Sequence, residues 1–169
     1  MLARLRAAGP NDAATIRRLI VDLATHERDP DAVVVTVDEL RDQLAAARPP
    51  FECLLAEDDD GTAVGFALYF HNYSTWRGRQ GLYLEDLFVE PLHRGRGIGK
   101  QLLVALAQLA VERGCARMEW AVLDWNRPAI DFYERLGARA MSEWTIFRLA
   151  DAPLRSLSFG TDAAAKAGS

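Results

Sequence analysis

Cysteine is scarce in this chain of 169 residues. There are two, Cys53 and Cys115, far apart and with no CxxC or Cys/His grouping beside either. That pattern argues against a structural zinc site, and the pair reads as buried free thiols. No metal is expected. Long apolar runs are also missing: none approaches the ~20 residues that span a bilayer. The opening Met1-Leu2-Ala3-Arg4-Leu5-Arg6 lacks the apolar stretch of a signal peptide, so a cytoplasmic location is expected and a membrane is not. A basic excess is absent too. The net charge is −4, which offers no general field for nucleic acid and is compatible with a cationic substrate.

What is present suffices for one domain with its own core: half of the residues are hydrophobic and 26% are charged. Leu2 to Ala7 alternates apolar and basic residues and predicts a first strand. Asn11 or Asp12 is placed to cap a helix to about Glu27, with Ile16, Leu19, Ile20 and Leu23 on its apolar face. Thr36 with Glu39 forms a capping box, so a second helix is expected from Val37 to about Ala47. Phe51–Glu57 and Thr62–Phe70 read as hairpin strands about the turn Asp58-Asp59-Asp60-Gly61, and Gly81–Val89 as the next strand. A glycine-rich loop, Gly95 to Gly99, opens a long helix to about Arg113. A strand over Ala116–Leu123 follows, then a helix capped by Asn126 and closed by Gly137. One or two last strands are expected within Ala138–Leu149, Trp144–Leu149 being the clearer. The fold class is α/β (α+β) with a mixed sheet. Residues 1–155 are expected to form the domain and 156–169 a weakly ordered tail.

The most informative stretch is Arg94-Gly95-Arg96-Gly97-Ile98-Gly99-Lys100. Glycines let a backbone approach a ligand closely, the following helix N-terminus supplies unsatisfied N–H donors, and Arg94, Arg96 and Lys100 add positive charge: this is chemistry for an anion. A Walker A loop is excluded, because Arg94 stands where its first Gly belongs and Gln101 replaces its Ser/Thr. Both registers of GxGxxG fail, at Lys100 and at Leu102. Arg-x-x-Gly-x-Gly fits, as Arg94, Gly97 and Gly99.

Three blocks together, Tyr83-Leu84-Glu85-Asp86-Leu87-Phe88-Val89, the loop from Arg94 to Gly99, and Trp125-Asn126-Arg127-Pro128-Ala129-Ile130-Asp131-Phe132-Tyr133, resemble the GNAT superfamily of N-acetyltransferases. The resemblance is nearest the diamine branch, the spermidine/spermine and thialysine acetyltransferases. It implies acetyl-CoA as co-substrate, a splayed strand pair in the sheet, and a homodimer. It further implies that Leu87, Phe88 and Val89 pair with the pantetheine arm, and that Arg94, Gly95, Arg96, Gly97, Ile98, Gly99 and Lys100 hold the pyrophosphate. Asn126, Arg127, Pro128 and Ala129 would border the reactive end. Tyr133 matches the general acid, and Glu85 with Asp86 matches the carboxylates of the amine site. Glu27, Trp76, Tyr83, Glu119 and Trp120 are further acceptor-site candidates.

Acetyl transfer needs a neutral nitrogen, and deprotonating an alkylammonium at neutral pH costs roughly 4–5 kcal/mol. Glu85 is the candidate base, through water, the Phe88 amide the candidate oxyanion donor, and Tyr133 the proton source for the departing thiolate. Successive strand residues face opposite ways, so for Glu85 and Asp86 to serve one pocket the strand must bulge, and a bulge just past Asp86 is expected. The acceptor is expected to be a small cationic amine. Other small amines, a protein amine, and a non-catalytic acyl-CoA sensor are the alternatives. His26, His71 and His93 show no partner pattern and are given no chemistry.

Overall fold

The computed structural model describes residues 3–160. Leu2, the expected start of the first strand, lies outside them, as does the stretch 161–169. The order is β1 (Arg4–Ala7), α1 (Ala13–His26), α2 (Val37–Ala45), β2 (Glu52–Glu57), β3 (Ala63–Ser74), β4 (Arg79–Val89), α3 (Ile98–Glu112), β5 (Met118–Trp120), α4 (Arg127–Arg135) and α5 (Asp151–Ser158). Two compact units divide the chain, Met1–Ala121 and Val122–Ser169.

The first unit carries a five-stranded sheet in the order β1-β2-β3-β4-β5, antiparallel throughout except for the parallel β4–β5 pair. Period-2 alternation sorts its residues onto two faces. Phe66, Leu68 and Phe88 share one face with Cys53 and Leu55, where Ile16, Leu19 and Leu40 of α1 and α2 pack on them. Leu82 and Leu84 point to the other face. There α3 lies, its buried stripe being Ile98, Leu102, Leu103, Leu106 and Ala110. The position of a Cβ on Gly99 falls 3.9 Å from Val89 Cγ2, which sets the start of α3 against β4.

Several local expectations hold. Thr36 Oγ1 accepts from the Glu39 amide at 3.2 Å, and the Glu39 carboxylate accepts from the Thr36 amide at 2.8 Å. Gly61, at φ +84°, closes the β2–β3 turn. Others are corrected. Asp12 does stand at the N-terminus of α1, but its carboxylate accepts from Arg6 at 2.7 and 2.9 Å and from the Gly9 amide at 2.8 Å instead of capping the helix. The expected strand over Ala116–Leu123 shrinks to Met118–Trp120.

The second unit holds α4 and α5. Asn126 Oδ1 accepts from the Ala129 amide at 3.4 Å, so the expected cap of α4 is present. No strand is found over residues 138–149, contrary to expectation. A strand needs a neighbour to take its backbone groups, and none is paired with this stretch among the described residues. Trp144, Ile146 and Phe147 accordingly stand exposed, Phe147 at 92%. Helix α5 runs across residue 155, where the sequence places the start of the tail.

Candidate active site

The site is organised by one extra residue in β4. Phe88, Leu87 and Asp86 pair with Phe66, Ala67 and Leu68, but Tyr69 then pairs with Leu84, leaving Glu85 over. The bulge is therefore at Glu85, one residue before Asp86 and not past it. Its effect is on parity. Leu82 and Leu84 face α3, whereas Asp86 and Phe88 return to the face of Tyr83. Glu85 is exposed.

Asp86 thus joins Tyr83 and Glu119 on one face, since Tyr83 pairs with Glu119 across the parallel register. The Phe70 and Tyr83 rings meet there at 5.2 Å between centroids. Burial drives the Asp86 carboxyl up to about 6, and the negative charges of Glu85 and then Glu27 push the same way. Burial, then Glu85 and Glu119, raises the Tyr83 phenol. Glu119 is already partnered: it accepts from Arg117 Nε at 2.8 Å and from Asn72 Nδ2 at 3.1 Å. Trp120 pairs with Leu84 and so belongs to the α3 face. Trp76 is 88% exposed, in the turn joining β3 to β4. Glu27 ends α1 and is exposed.

The bulge also opens the edge of β4. Pairing with β5 covers Leu82, Tyr83 and Leu84 and stops there. Beyond it, hydrogen-bonded and outward-pointing residues alternate. The Glu90 amide donates to Val64 O at 2.9 Å, so Glu90 and, two residues back, Phe88 turn their backbone groups into the sheet. Leu87 and Val89 point theirs outward. Arg94 verifies the phase, because its Nε donates to the outward Val89 carbonyl at 2.8 Å. The expected use of the Phe88 amide as a donor in the cleft is corrected on this ground: the ladder with Phe66 takes it, and the Leu87 amide faces out. The sequence does carry a signal for this. Leucines at 82 and 84 give way to apolar residues at 87 and 89, an odd step in an even pattern.

At the end of β4 the chain passes through the turn Pro91–His93 into the glycine loop. Gly95 and Gly97 have φ of +77° and +82°, a region that only glycine enters freely. No atom lies within 4 Å of where a Cβ on either would stand. Gly97 is the N-cap of α3, whose first amides have no helical partner. Exposed Arg96 and Lys100 flank them. Open space, free donors and positive charge fit a pyrophosphate. Arg94 is spent otherwise: besides its bond to Val89, its guanidinium lies 5.6 Å from the Phe88 ring centroid.

In the second unit, Asn126, Arg127, Pro128 and Ala129 form the cap and first turn of α4, and Tyr133 lies on the same helix, beside the Phe132 ring at 5.4 Å. Burial raises the Tyr133 phenol, which keeps it protonated at neutral pH.

Comparison with known proteins agrees with this architecture. The family model described as "Acetyltransferase (GNAT) family" matches residues 16–138. A thialysine N-epsilon-acetyltransferase of Sus scrofa is 39% identical over 90% of this chain and 95% of its own length. An L-ornithine N5-acetyltransferase of Arabidopsis thaliana is 33% identical over 93% of this chain and 88% of its own. Among solved structures, an integron cassette protein from the mobile metagenome of V. cholerae superposes with a TM-score of 0.78 at 24% identity, covering 94% of this chain and 98% of that one. Among the described residues no helix is long and apolar enough to cross a membrane. The chain belongs to the GNAT acetyltransferase family and is an acetyl-CoA-dependent N-acetyltransferase.

Proposed function

We propose that the acceptor is a small cationic amine carrying a second positive group, a diamine, polyamine or lysine-like molecule. The observation that carries this is the placement of Asp86. The bulge turns it onto the face of Tyr83 and Glu119, within the electrostatic reach of Glu85 and Glu27. Asp86, Glu85 and Glu27, beside Glu119 whose charge Arg117 already meets, favour a cation over any neutral or anionic acceptor. Relatives named for thialysine and L-ornithine support the same class.

The roles follow from the chemistry. Acetyl-CoA supplies an electrophilic thioester and a thiolate leaving group. The loop from Gly95 to Lys100 holds its pyrophosphate, and Leu87 and Val89 receive its pantetheine arm along the open edge of β4. Asp86 orients the distal ammonium. Exposed Glu85 takes the proton of the reacting nitrogen through water. The Leu87 amide donates to the oxygen that gains charge as the nitrogen attacks. Tyr133, whose role rests on the family match, protonates the departing thiolate. The chain works as a homodimer, a reading supported by the exposed row Trp144, Ile146 and Phe147. Light scattering checks it directly, and Phe147→Glu should shift a dimer toward monomer.

An acceptor screen tests the central claim. Asp86→Asn should raise KM for diamines and polyamines more than for monoamines. Glu85→Gln should depress kcat more than it raises KM. Turnover confined to neutral or anionic amines, with both variants kinetically silent, would overturn the assignment.

A further inference from the structure

His93 is assigned no chemistry by its sequence surroundings, yet it occupies a defined place. It ends the turn Pro91–His93, one residue before Arg94 and two before the first loop glycine. Its Nε2 lies 3.8 Å from Asp58 Oδ2, and its Nδ1 lies 3.5 Å from Glu90 Oε2. The side chain is 19% exposed, and Nδ1 is buried without a hydrogen-bond partner. Asp58 belongs to the β2–β3 turn, while Glu90 closes β4 and is itself fixed by Arg18 of α1 at 2.5 Å. Arg18 also pairs with Asp22 at 3.1 Å, and Asp60 stands in the same turn as Asp58. Arg94 follows on the other side. Each ring nitrogen therefore faces a carboxylate. A neutral imidazole always aims one lone pair at one of them, and only an imidazolium presents a proton to both.

From this arrangement we infer that His93 is a positioning residue for the cofactor loop, a charged strut between the β2–β3 turn and the end of β4. The inference rests on the reading that Gly95 to Lys100 binds the pyrophosphate. Its logic is entropic. Gly95 and Gly97 free the loop to meet a ligand, and that freedom must be given up on binding. The root is held instead. The His93 amide donates to Glu90 O at 2.9 Å, Arg94 Nε to Val89 O at 2.8 Å, and the imidazolium ties the turn across to Asp58. The cofactor then orders only the glycines. Since the tie needs a proton on both ring nitrogens, a neutral imidazole does not make it.

Asp58→Asn tests this with little risk to the fold, because Asp58 Oδ1 accepts from the Thr62 amide at 3.0 Å and an Asn oxygen can do the same. CoA affinity is measured by calorimetry at about pH 6 and about pH 8.5, to vary the charge on the imidazole. At the lower pH the variant should bind roughly threefold to fivefold more weakly than wild type, as expected for a partly exposed ion pair. At the higher pH the gap should close. Taking the ratio cancels the titration of CoA itself. The kcat at saturating acetyl-CoA should not change. His93→Ala should show the same loss at the lower pH, with folding checked by its melting curve. A gap of equal size at both pH values, no gap at either, or a fall in kcat without a change in KM overturns the proposal. Gly97→Val separates the two readings. If it binds CoA as well as wild type, the loop assignment fails and the strut with it; if it loses CoA while Asp58→Asn is silent, only the strut fails.

Discussion

An acid held out of water costs the fold stability whenever it is ionised. Asp86 shows the cost. Its pKa rises from 3.8 to about 6, chiefly through burial, so the folded state holds its proton more tightly than the unfolded chain does. The stability this confers is complete below about pH 4 and is lost as pH rises through about 6. Asp86→Asn should therefore be more stable than wild type at neutral pH, by on the order of 1–3 kcal/mol, and the two should converge near pH 4. Denaturant titrations at both pH values check this, and failure to converge would remove Asp86 as the origin. Tyr133 makes a different prediction. Tyr133→Phe keeps the ring and loses only the hydroxyl, so kcat should fall by roughly 10²-fold or more while CoA affinity holds. Wild-type turnover, with chemistry limiting, would exclude the phenol from proton transfer.

Among elements, the bulged strand decides most. Deleting Glu85 would leave every other residue of β4 opposite its present partner and on its present face, Leu84 against Tyr69 and Asp86 against Leu68. The core should survive. The edge would straighten, β5 would gain room to pair past Leu84, and the opening beside Leu87 and Val89 would close. A folded protein with a cooperative melt and no measurable CoA binding is the expected result; retained affinity would show that the bulge does not make the slot. Such devices are hard to read from sequence. Side-chain pattern reports which face a residue takes, and α1, α2, α3, the three long strands and the cap of α4 were legible for that reason. The need for a bulge was legible in the adjacent Glu85 and Asp86. Its position was not, because backbone phase leaves a trace only in the step from Leu84 to Leu87. The same limit explains residues 138–149, where apolar alternation marked a strand but nothing in the sequence stated that a partner would be present. His93 escaped because Asp58, its second carboxylate, reaches it from the distant β2–β3 turn.

At the scale of the molecule, the acidic net charge and the sheet tell one story. A net charge of −4 favours cations generally, while exposed Arg96 and Lys100 at the start of α3 make a local positive exception. Raising salt should therefore weaken both substrates. The effect on CoA should be the larger, since its phosphates carry more charge than a diamine, and KM values measured against ionic strength would show it.

The strand order β1-β2-β3-β4-β5 has one more consequence. Every strand pairs with the one made before it, so the sheet can assemble in the order of synthesis, each new segment leaving the ribosome to find its template already waiting. The widest gap, between β1 and β2, is spanned by the two helices that cover their shared face. By the time residue 121 has emerged, the bulge, the open edge and the glycine loop are all encoded in the nascent chain, and Tyr133 is still to come. The glycine loop and the open strand edge are thus translated ahead of α4 and the phenol it carries.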